Sequence, residues 1–486
     1  MFSLNFNEFI DSVKSLHMQS ETFIHTDLNP HHLNPMVERT VAFITLGCKA
    51  NLLESSALAE RFKQMGWQVL SEEQSASLYV FNTCTVTEKA DAEARRLVRK
   101  LKRQNPASRV AVTGCYAQVS PQTFQAMGGV DFIIGNNLKD ELPEIIVNQF
   151  ANYYADLNDG PLILVDEFEK SRELVSRLGS FAGIARTRGS IKIQDGCDYK
   201  CTYCIIWKGR GPSRCLSVEA VTQQIQHMVH EGFKDITMTG INIGQYLHNG
   251  MDLAGLLRHV TTQVEGDYQL RLSSLDPLEV TDDLMNVMAD SYYQNRRIAP
   301  HVHLSSQSAE DGVLKAMARR HHVKDLIYVC ERLQSLMPHI AIGSDMIVGF
   351  PTETEEAFES SYQVIERIPM HYLHVFRYSP RAGTPAAEMR PQVQESIRKE
   401  RASRLIALAE AKKAAFYQRF VGETLSMLCE NQKEDGSMEG ITENYLRVKL
   451  TAEEVLAFQV QPNQRVAVKI TASQAGDFLL GTLTTS

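Results

Sequence analysis

Three cysteines stand at spacing Cys-x3-Cys-x2-Cys in the stretch Gly196-Cys197-Asp198-Tyr199-Lys200-Cys201-Thr202-Tyr203-Cys204. Thiolates are soft ligands, and a close group of them selects zinc or an iron–sulfur cluster. A structural zinc site takes four protein ligands, and no fourth cysteine follows here at ligand spacing. Three thiolates on one short loop suit a [4Fe–4S] cubane, with three irons held and the fourth open to a small molecule. The competing reading is a zinc loop closed from elsewhere, by Cys215 or a histidine. Against it, the spacing differs from those usual for zinc.

Three further cysteines are far apart in sequence but alike in placement. Each follows a short apolar run: Cys48 after residues 41–46, Cys84 after 78–81 and Cys115 after 109–112. Between the runs lie helical patterns at 51–66 and 91–104, and after them at 120–127 and 139–149, with another apolar run at 130–134. Strands alternating with helices imply a parallel sheet covered on both faces. Loops leaving the carboxyl ends of such strands converge on one edge, so Cys48, Cys84 and Cys115 should meet in space. The alternative is three buried structural cysteines, which pack as small hydrophobes. Cys330 and Cys429 lie in apolar stripes and read as core, and Cys215 reads as structural.

The elements that would position these groups divide the chain. Residues 1–38 read as an N-terminal extension and 39–151 as the first parallel-sheet (Rossmann-like) domain. Residues 152–186 form a linker with a strand at 162–165. A second alternating series fills 187–419, with strands at 191–193, 234–238, 268–272, 302–304, 341–348 and 373–376. Six strands suit a partial (β/α)6 barrel, whose ligand would lie across the strands' carboxyl ends. Residues 420–486 show short strands and turns, which suit a small β-barrel.

At 486 residues the chain exceeds one core, and 43% apolar residues are ordinary for a globular protein. No apolar run is long enough to span a bilayer. The first residues, with early acids and no basic start, do not read as a signal peptide. Nine cysteines grouped in loops point to metal or redox use in the cytoplasm rather than to disulfides. The net charge of −8 argues against a globally electrostatic nucleic-acid binder. Two basic stretches remain: residues 95–103, with six bases in nine, and 396–419. Either is also readable as a solvated helix face. Arg95, Arg99 and Arg103 are the candidates for phosphate contacts.

The nonapeptide around Cys197, including Tyr203 before the third cysteine, resembles the cluster loop of the radical S-adenosylmethionine (SAM) enzymes. There the open iron binds SAM, and one electron releases a 5′-deoxyadenosyl radical. A second resemblance is tighter. Gly47-Cys48-Lys49-Ala50-Asn51, Asn82-Thr83-Cys84-Thr85-Val86-Thr87 and Thr113-Gly114-Cys115-Tyr116 are similar to the N-terminal domain of the radical SAM methylthiotransferases. The similarity continues through Thr239-Gly240-Ile241-Asn242, Arg271-Leu272-Ser273-Ser274 and Val348-Gly349-Phe350-Pro351 to Tyr378-Ser379-Pro380-Arg381. Two departures stand out: Ala309 replaces a glycine of the family, and Arg377 stands where many members have proline. The C-terminal barrel resembles the TRAM domain, an RNA-binding module, although its nine acids outnumber its five bases.

This resemblance implies two [4Fe–4S] clusters, one on Cys48, Cys84 and Cys115, the other on Cys197, Cys201 and Cys204 and open to SAM. It implies SAM contacts at Tyr203, Gly240, Ser273, Ser274, Ile347 and Gly349. Partners would be a tRNA, a reduced electron donor and a sulfur donor, with no membrane, and the enzyme is expected to be monomeric. The residues around Cys84 and Cys115 look most like the branch acting on N6-threonylcarbamoyladenosine beside the anticodon. Isopentenyladenosine in tRNA or an aspartate of a ribosomal protein are the other substrates of the family. A threonylcarbamoyl group carries a carboxylate, which calls for a cation or backbone donors; Arg377 and Arg381 are the candidates. From another class, a non-catalytic iron–sulfur RNA-binding protein would share the cysteines but have no use for SAM-contact turns.

Overall fold

In the computed structural model, which describes residues 38–152, 160–168, 174, 187–474 and 477–483, the early apolar runs form one parallel sheet. Its strands are β1 (Thr40–Thr45), β2 (Gln68–Leu70), β3 (Leu78–Thr83), β4 (Arg109–Gly114), β5 (Phe132–Ile134) and β6 (Leu162–Leu164), in the order β2-β1-β3-β4-β5-β6. Alternate residues serve opposite faces. Leu78 and Val80 join Leu58 and Phe62 of α1 (Lys49–Gln64) in one core, while Tyr79 and Phe81 join Ala94, Val98 and Leu101 of α2 (Glu88–Gln104) in another. All six residues of β3 are therefore buried. The edge strand β2 escaped the sequence reading because three partly exposed residues carry no periodicity. Helix α2 starts at Glu88 rather than Asp91, because Thr87 caps it by accepting from the Ala90 amide at 3.2 Å. A short helix, α3 (Cys115–Val119), leaves β4 directly. The extension before residue 38 and most of the linker at 152–186 lie outside the described residues.

The second series gives six parallel strands in two three-stranded sheets. One contains β7 (Gly189–Lys192), β8 (Asp235–Thr239) and β9 (Gln269–Leu272); the other contains β10 (His301–Gln307), β11 (Ala341–Val348) and β12 (Tyr372–Arg377). Isolated parallel bridges, Leu270 to Ile298 and Leu275 to Leu304, join the two into an open barrel. Outward residues such as Met238, Leu270 and Ile342 pack on the surrounding helices in the largest core. A five-residue helix, α4 (Ile206–Arg210), follows the cysteine loop.

The chain then runs through α5 (Glu395–Gln418) into a closed five-stranded barrel. It is built from β13 (Thr424–Gln432), β14 (Met438–Thr442), β15 (Arg447–Leu450), β16 (Arg465–Gln474) and β17 (Phe478–Leu483). Phe416 and Tyr417, at the end of α5, are buried in the core of this barrel with Met427, Val448 and Leu479. The small barrel is docked on the large one by Arg271, whose guanidinium donates to the carbonyls of Glu443 at 2.8 Å and Thr442 at 2.9 Å. Among the described residues no helix is long and apolar enough to cross a membrane.

Candidate active site at the junction of three domains

The carboxyl ends of β1, β3 and β4 deliver Cys48, Cys84 and Cys115 to the wall of a single cavity of about 560 Å³. Close backbone approach makes this possible. Gly47 has φ +97°, and a Cβ there would lie 2.5 Å from Cβ of Cys84; Gly114 has φ +95°, and a Cβ would lie 2.3 Å from the Thr83 carbonyl oxygen. Both positions exclude a side chain. The loops are tied together by amides: Asn51 donates to the carbonyls of Leu46 at 2.8 Å and Thr83 at 3.2 Å, and Asn82 donates to the carbonyl of Asn51 at 2.9 Å. Burial pushes the Cys84 thiol up to about 11. Metal binding releases such protons, because the ligand is the thiolate.

Cys197, Cys201 and Cys204 sit together on the loop after β7. Backbone amides of Tyr199 and Ile206 donate to the sulfurs of Cys197 and Cys204, each at 3.4 Å, and Arg319 Nη1 donates to that of Cys201 at 3.4 Å. Donors aimed at sulfur stabilise thiolates and tune a cluster bound to them. Burial pushes the Cys197 thiol up to about 12 and the Cys204 thiol to about 11. All nine cysteines are free.

Each triad has its own buried arginine. Arg319 ion-pairs with Asp276 beside the second triad. Arg210, 1% exposed, stands beside the first. Its Nη1 donates to Glu54 at 2.7 Å and Asp195 at 2.9 Å, and its Nη2 donates to Asn51 Oδ1 at 2.6 Å. Glu54 also receives Lys139 at 2.6 Å and Lys192 at 2.9 Å. Burial pushes the Glu54 carboxyl up, but Arg210, Lys139 and Lys192 outweigh it and hold it well below the usual carboxylate range. With Arg214 beside Asp195 and Asp140 beside Lys139 and Lys192, the cluster has four cations to three carboxylates, which leaves positive charge next to three thiols. That balance fits an anionic thiolate-bound cluster, as do the orphaned Nε atoms of Arg210 and Arg319. Helix α4 bridges the two triads: Ile206 bonds to Cys204, and Arg210 lies about 6 Å further along the axis.

The opposite wall of the cavity comes from the large barrel. Gly240 follows β8 and Ser273-Ser274 follow β9, and all three line it. Alternation on β10 and β12 turns His301, His303, Tyr372 and His374 inward, with Asp345 on β11 between them. His303 Nε2 lies 2.9 Å from Asp345 Oδ1, and His374 Nδ1 lies 3.2 Å from the same oxygen. Tyr372 Oη lies 2.6 Å from His301 Nε2 and 3.2 Å from His303 Nδ1. Burial pushes the Asp345 carboxyl up, but hydrogen bonds from His303 and His374 bring it down to about 2. Tyr445 of the small barrel completes the wall. The sequence reading passed over this group, although the polar alternations His301-x-His303 and Tyr372-x-His374 on barrel strands were a usable signal.

Other expected site residues do not line this cavity. Tyr203 packs edge-on to Phe350, at 6.5 Å between ring centres, with Ile347 in the same cluster. Gly349 donates its amide to Glu353 at 2.6 Å. Arg377 and Arg381 do not line the cavity. Arg377 pairs with Glu395 on the surface, and Arg381 is buried against Asp91 and Thr85, joining α2 to the large barrel. A carboxylate in the cavity would therefore not meet either guanidinium. In the basic helix, Arg95 is held against Tyr116, its Nη1 at 2.5 Å from the hydroxyl. Arg99 and Arg103 border a shallow surface depression with Arg96 and Lys102.

Residues 40–135 match the family described as Uncharacterized protein family UPF0004, and residues 191–365 match the radical SAM superfamily. Together with the geometry, these define a radical SAM enzyme that carries a thiol-bearing parallel-sheet domain in front of its barrel. The threonylcarbamoyladenosine tRNA methylthiotransferase MtaB of Bacillus subtilis is 38% identical over 415 residues, 84% of this chain and 90% of that protein. The tRNA-2-methylthio-N(6)-dimethylallyladenosine synthase of Carboxydothermus hydrogenoformans is 33% identical over 389 residues, 77% of this chain and 84% of that one. The chain belongs to the radical SAM methylthiotransferase family, whose chemistry requires SAM and a [4Fe–4S] cluster. In fold it is similar to the radical SAM methyltransferase TsrM from Kitasatospora setae, with a TM-score of 0.54 at 15% identity, covering 72% of this chain and 75% of that one.

Proposed function

We propose that the protein converts N6-threonylcarbamoyladenosine beside the anticodon of tRNA to its 2-methylthio derivative. The observation that carries this reading is the single cavity onto which both the Cys48/Cys84/Cys115 triad and the carboxyl ends of the barrel strands open. Four relatives that are 35–38% identical, over 84–86% of this chain, carry the threonylcarbamoyladenosine name. In this reading each triad holds a [4Fe–4S] cluster, and Cys197, Cys201 and Cys204 hold the one that binds SAM. When bound, the cofactors supply reductive cleavage of SAM and a methylthio group for transfer to carbon. The chain's residues hold and aim these partners. Amides and Arg319 stabilise the second triad's sulfurs, Arg210 offsets charge at the first, and Gly240, Ser273 and Ser274 shape the wall against which SAM lies. The 560 Å³ volume is in the range of small-molecule sites. A reduced electron donor, a sulfur donor and cytoplasmic tRNA are the partners this chemistry needs. The direct test is nucleoside analysis of tRNA from a strain lacking the gene. Methylthio-threonylcarbamoyladenosine should vanish while its unthiolated precursor persists. Loss of methylthio-isopentenyladenosine instead would reassign the substrate within the family.

In the same reading α2 contacts the tRNA backbone. Changing Arg99 and Arg103 to alanine should weaken binding uniformly across tRNAs and lower the slope of log K against log salt by about two units. Adding Arg95→Ala should lower it no further, because that guanidinium is committed to Tyr116. Unchanged affinity and slope in the double variant would make this helix an ordinary solvated face.

A further inference from the structure

We propose that Lys49 and His301 together receive the carboxylate carried by the target base's side chain, and so set the choice among N6-modified adenosines. This rests on the substrate reading above. Arg377 and Arg381 are paired away from the cavity, so a cation for the carboxylate has to come from the cavity wall itself. Three strong cations line it: Lys49, Arg210 and Arg271. Arg210 is consumed by Glu54, Asp195 and Asn51. Arg271 is consumed by Asp235 at 2.7 Å and by the two carbonyls of the small barrel. Lys49 is exposed, and it makes no hydrogen bond or ion pair among the described residues. It is also the first residue of the 16-residue helix α1, whose N-cap, Cys48, bonds through its thiol to the Asn51 side chain and leaves the first-turn backbone amides uncapped. The positive end of the helix therefore adds to the lysine's charge at the same wall.

His301 supplies an independent observation from the other domain. It is 6% exposed, lines the cavity, and its Nδ1 is buried without a partner. A buried polar atom left unpaired is costly, and because Nδ1 is closed to solvent a small turn of the ring is what would present it to a ligand oxygen. Burial, with the charges of Arg271, His303 and Lys49, holds this imidazole neutral, well below the ordinary histidine value. Lys49 and His301 line the same cavity, one from each domain. Tyr372 Oη lies between His301 Nε2 and His303 Nδ1 with one proton to give, and the shorter contact is to His301; with the proton given there, the neutral His301 ring carries its own on Nδ1, a donor suited to a carboxylate oxygen. The chain Asp345–His303–Tyr372–His301 fixes the ring's orientation. Asp345 sets the polarity of the cavity: an anionic substituent is repelled from the β11 side and drawn to the Lys49 side. An isopentenyl group carries no charge and would leave both Lys49 and His301 Nδ1 unanswered.

The test uses the reconstituted full-length enzyme with synthetic anticodon stem–loops. One bears threonylcarbamoyladenosine, the other the same group with its carboxylate replaced by a carboxamide. The unsubstituted enzyme should favour the carboxylate by at least about tenfold in kcat/KM, the size of one charge-assisted hydrogen bond. In Lys49→Met this ratio should collapse, Lys49→Arg should restore most of it, and His301→Gln should reduce it. Iron content is measured in each variant, because Lys49 adjoins Cys48, and ratios are compared only between proteins of equal iron content. An enzyme that converts threonylcarbamoyladenosine, but in which Lys49→Met keeps the full discrimination, overturns this inference alone. An enzyme that converts only isopentenyladenosine overturns the substrate reading, and the inference with it.

Discussion

Replacing Cys197, Cys201 and Cys204 together by alanine should leave about half the iron of the reconstituted protein and abolish release of 5′-deoxyadenosine. The complementary change, Cys48→Ala, should abolish methylthiolation while SAM cleavage continues. The structure gives the reason for this split. The two triads stand on separate elements, one on the edge of the parallel sheet and one on the loop after β7, each with its own buried arginine. Neither set of sulfur donors depends on a residue of the other triad. Iron and 5′-deoxyadenosine are measured on the same preparations. Complete loss of iron in the triple variant, or loss of 5′-deoxyadenosine in Cys48→Ala, would show the two sites to be interdependent.

Glu54→Ala should be among the most destabilising single changes outside the hydrophobic core. Glu54 and its partners Arg210 and Lys192 lie on different domains, so this carboxylate clasps the parallel sheet to the large barrel. Its removal leaves Lys139, Lys192 and Arg210 buried without their shared direct partner, with Asp195 and the nearby Asp140 as the remaining carboxylates. Stranding buried charge in this way costs about 3–5 kcal/mol. The loss should be read as a lower urea midpoint and, from the displaced Arg210, as lower iron occupancy of the first triad. The same network predicts a pH dependence. The folded-state pKa of Glu54 lies well below its unfolded value, so the unfolded chain binds the extra proton on acidification. The contribution is fully present above the ordinary carboxylate range and is lost as pH falls through and below it. Urea midpoints of the unsubstituted protein and the variant should therefore converge in acid. Equal midpoints at neutral pH would show that the clasp contributes nothing net.

How much of this was legible beforehand depends on the distance over which each feature is specified. The Cys197 loop is local: ligand type and spacing lie within eight residues, and the loop needs only β7 before it and α4 after it. The central strands were legible too: β3 opens on the apolar run Leu78–Phe81, and β11 has apolar residues at both ends around Gly343-Ser344-Asp345. The meeting of Cys48, Cys84 and Cys115 followed from a topological rule, that loops at the carboxyl ends of parallel strands share an edge. Short elements were not legible. Neither β2 nor α3 has enough residues to show a period; β2 exists because β1 supplies its hydrogen bonds, and the Ala117 amide of α3 is held by the Thr83 hydroxyl.

Charge was misread for a different reason. Sequence shows where cations occur but not which anion has already claimed them. Arg381 looked available, yet folding brings Asp91, 290 residues away, against it. Arg95 belongs to Tyr116, and Arg210, Glu54, Lys139 and Lys192 form one cluster from four separated segments. The sequence by itself determined the ligand chemistry, the alternating architecture and the family. Only the tertiary structure decided which charged groups remain free at the cavity, because desolvation and pairing act between side chains that the chain order keeps far apart.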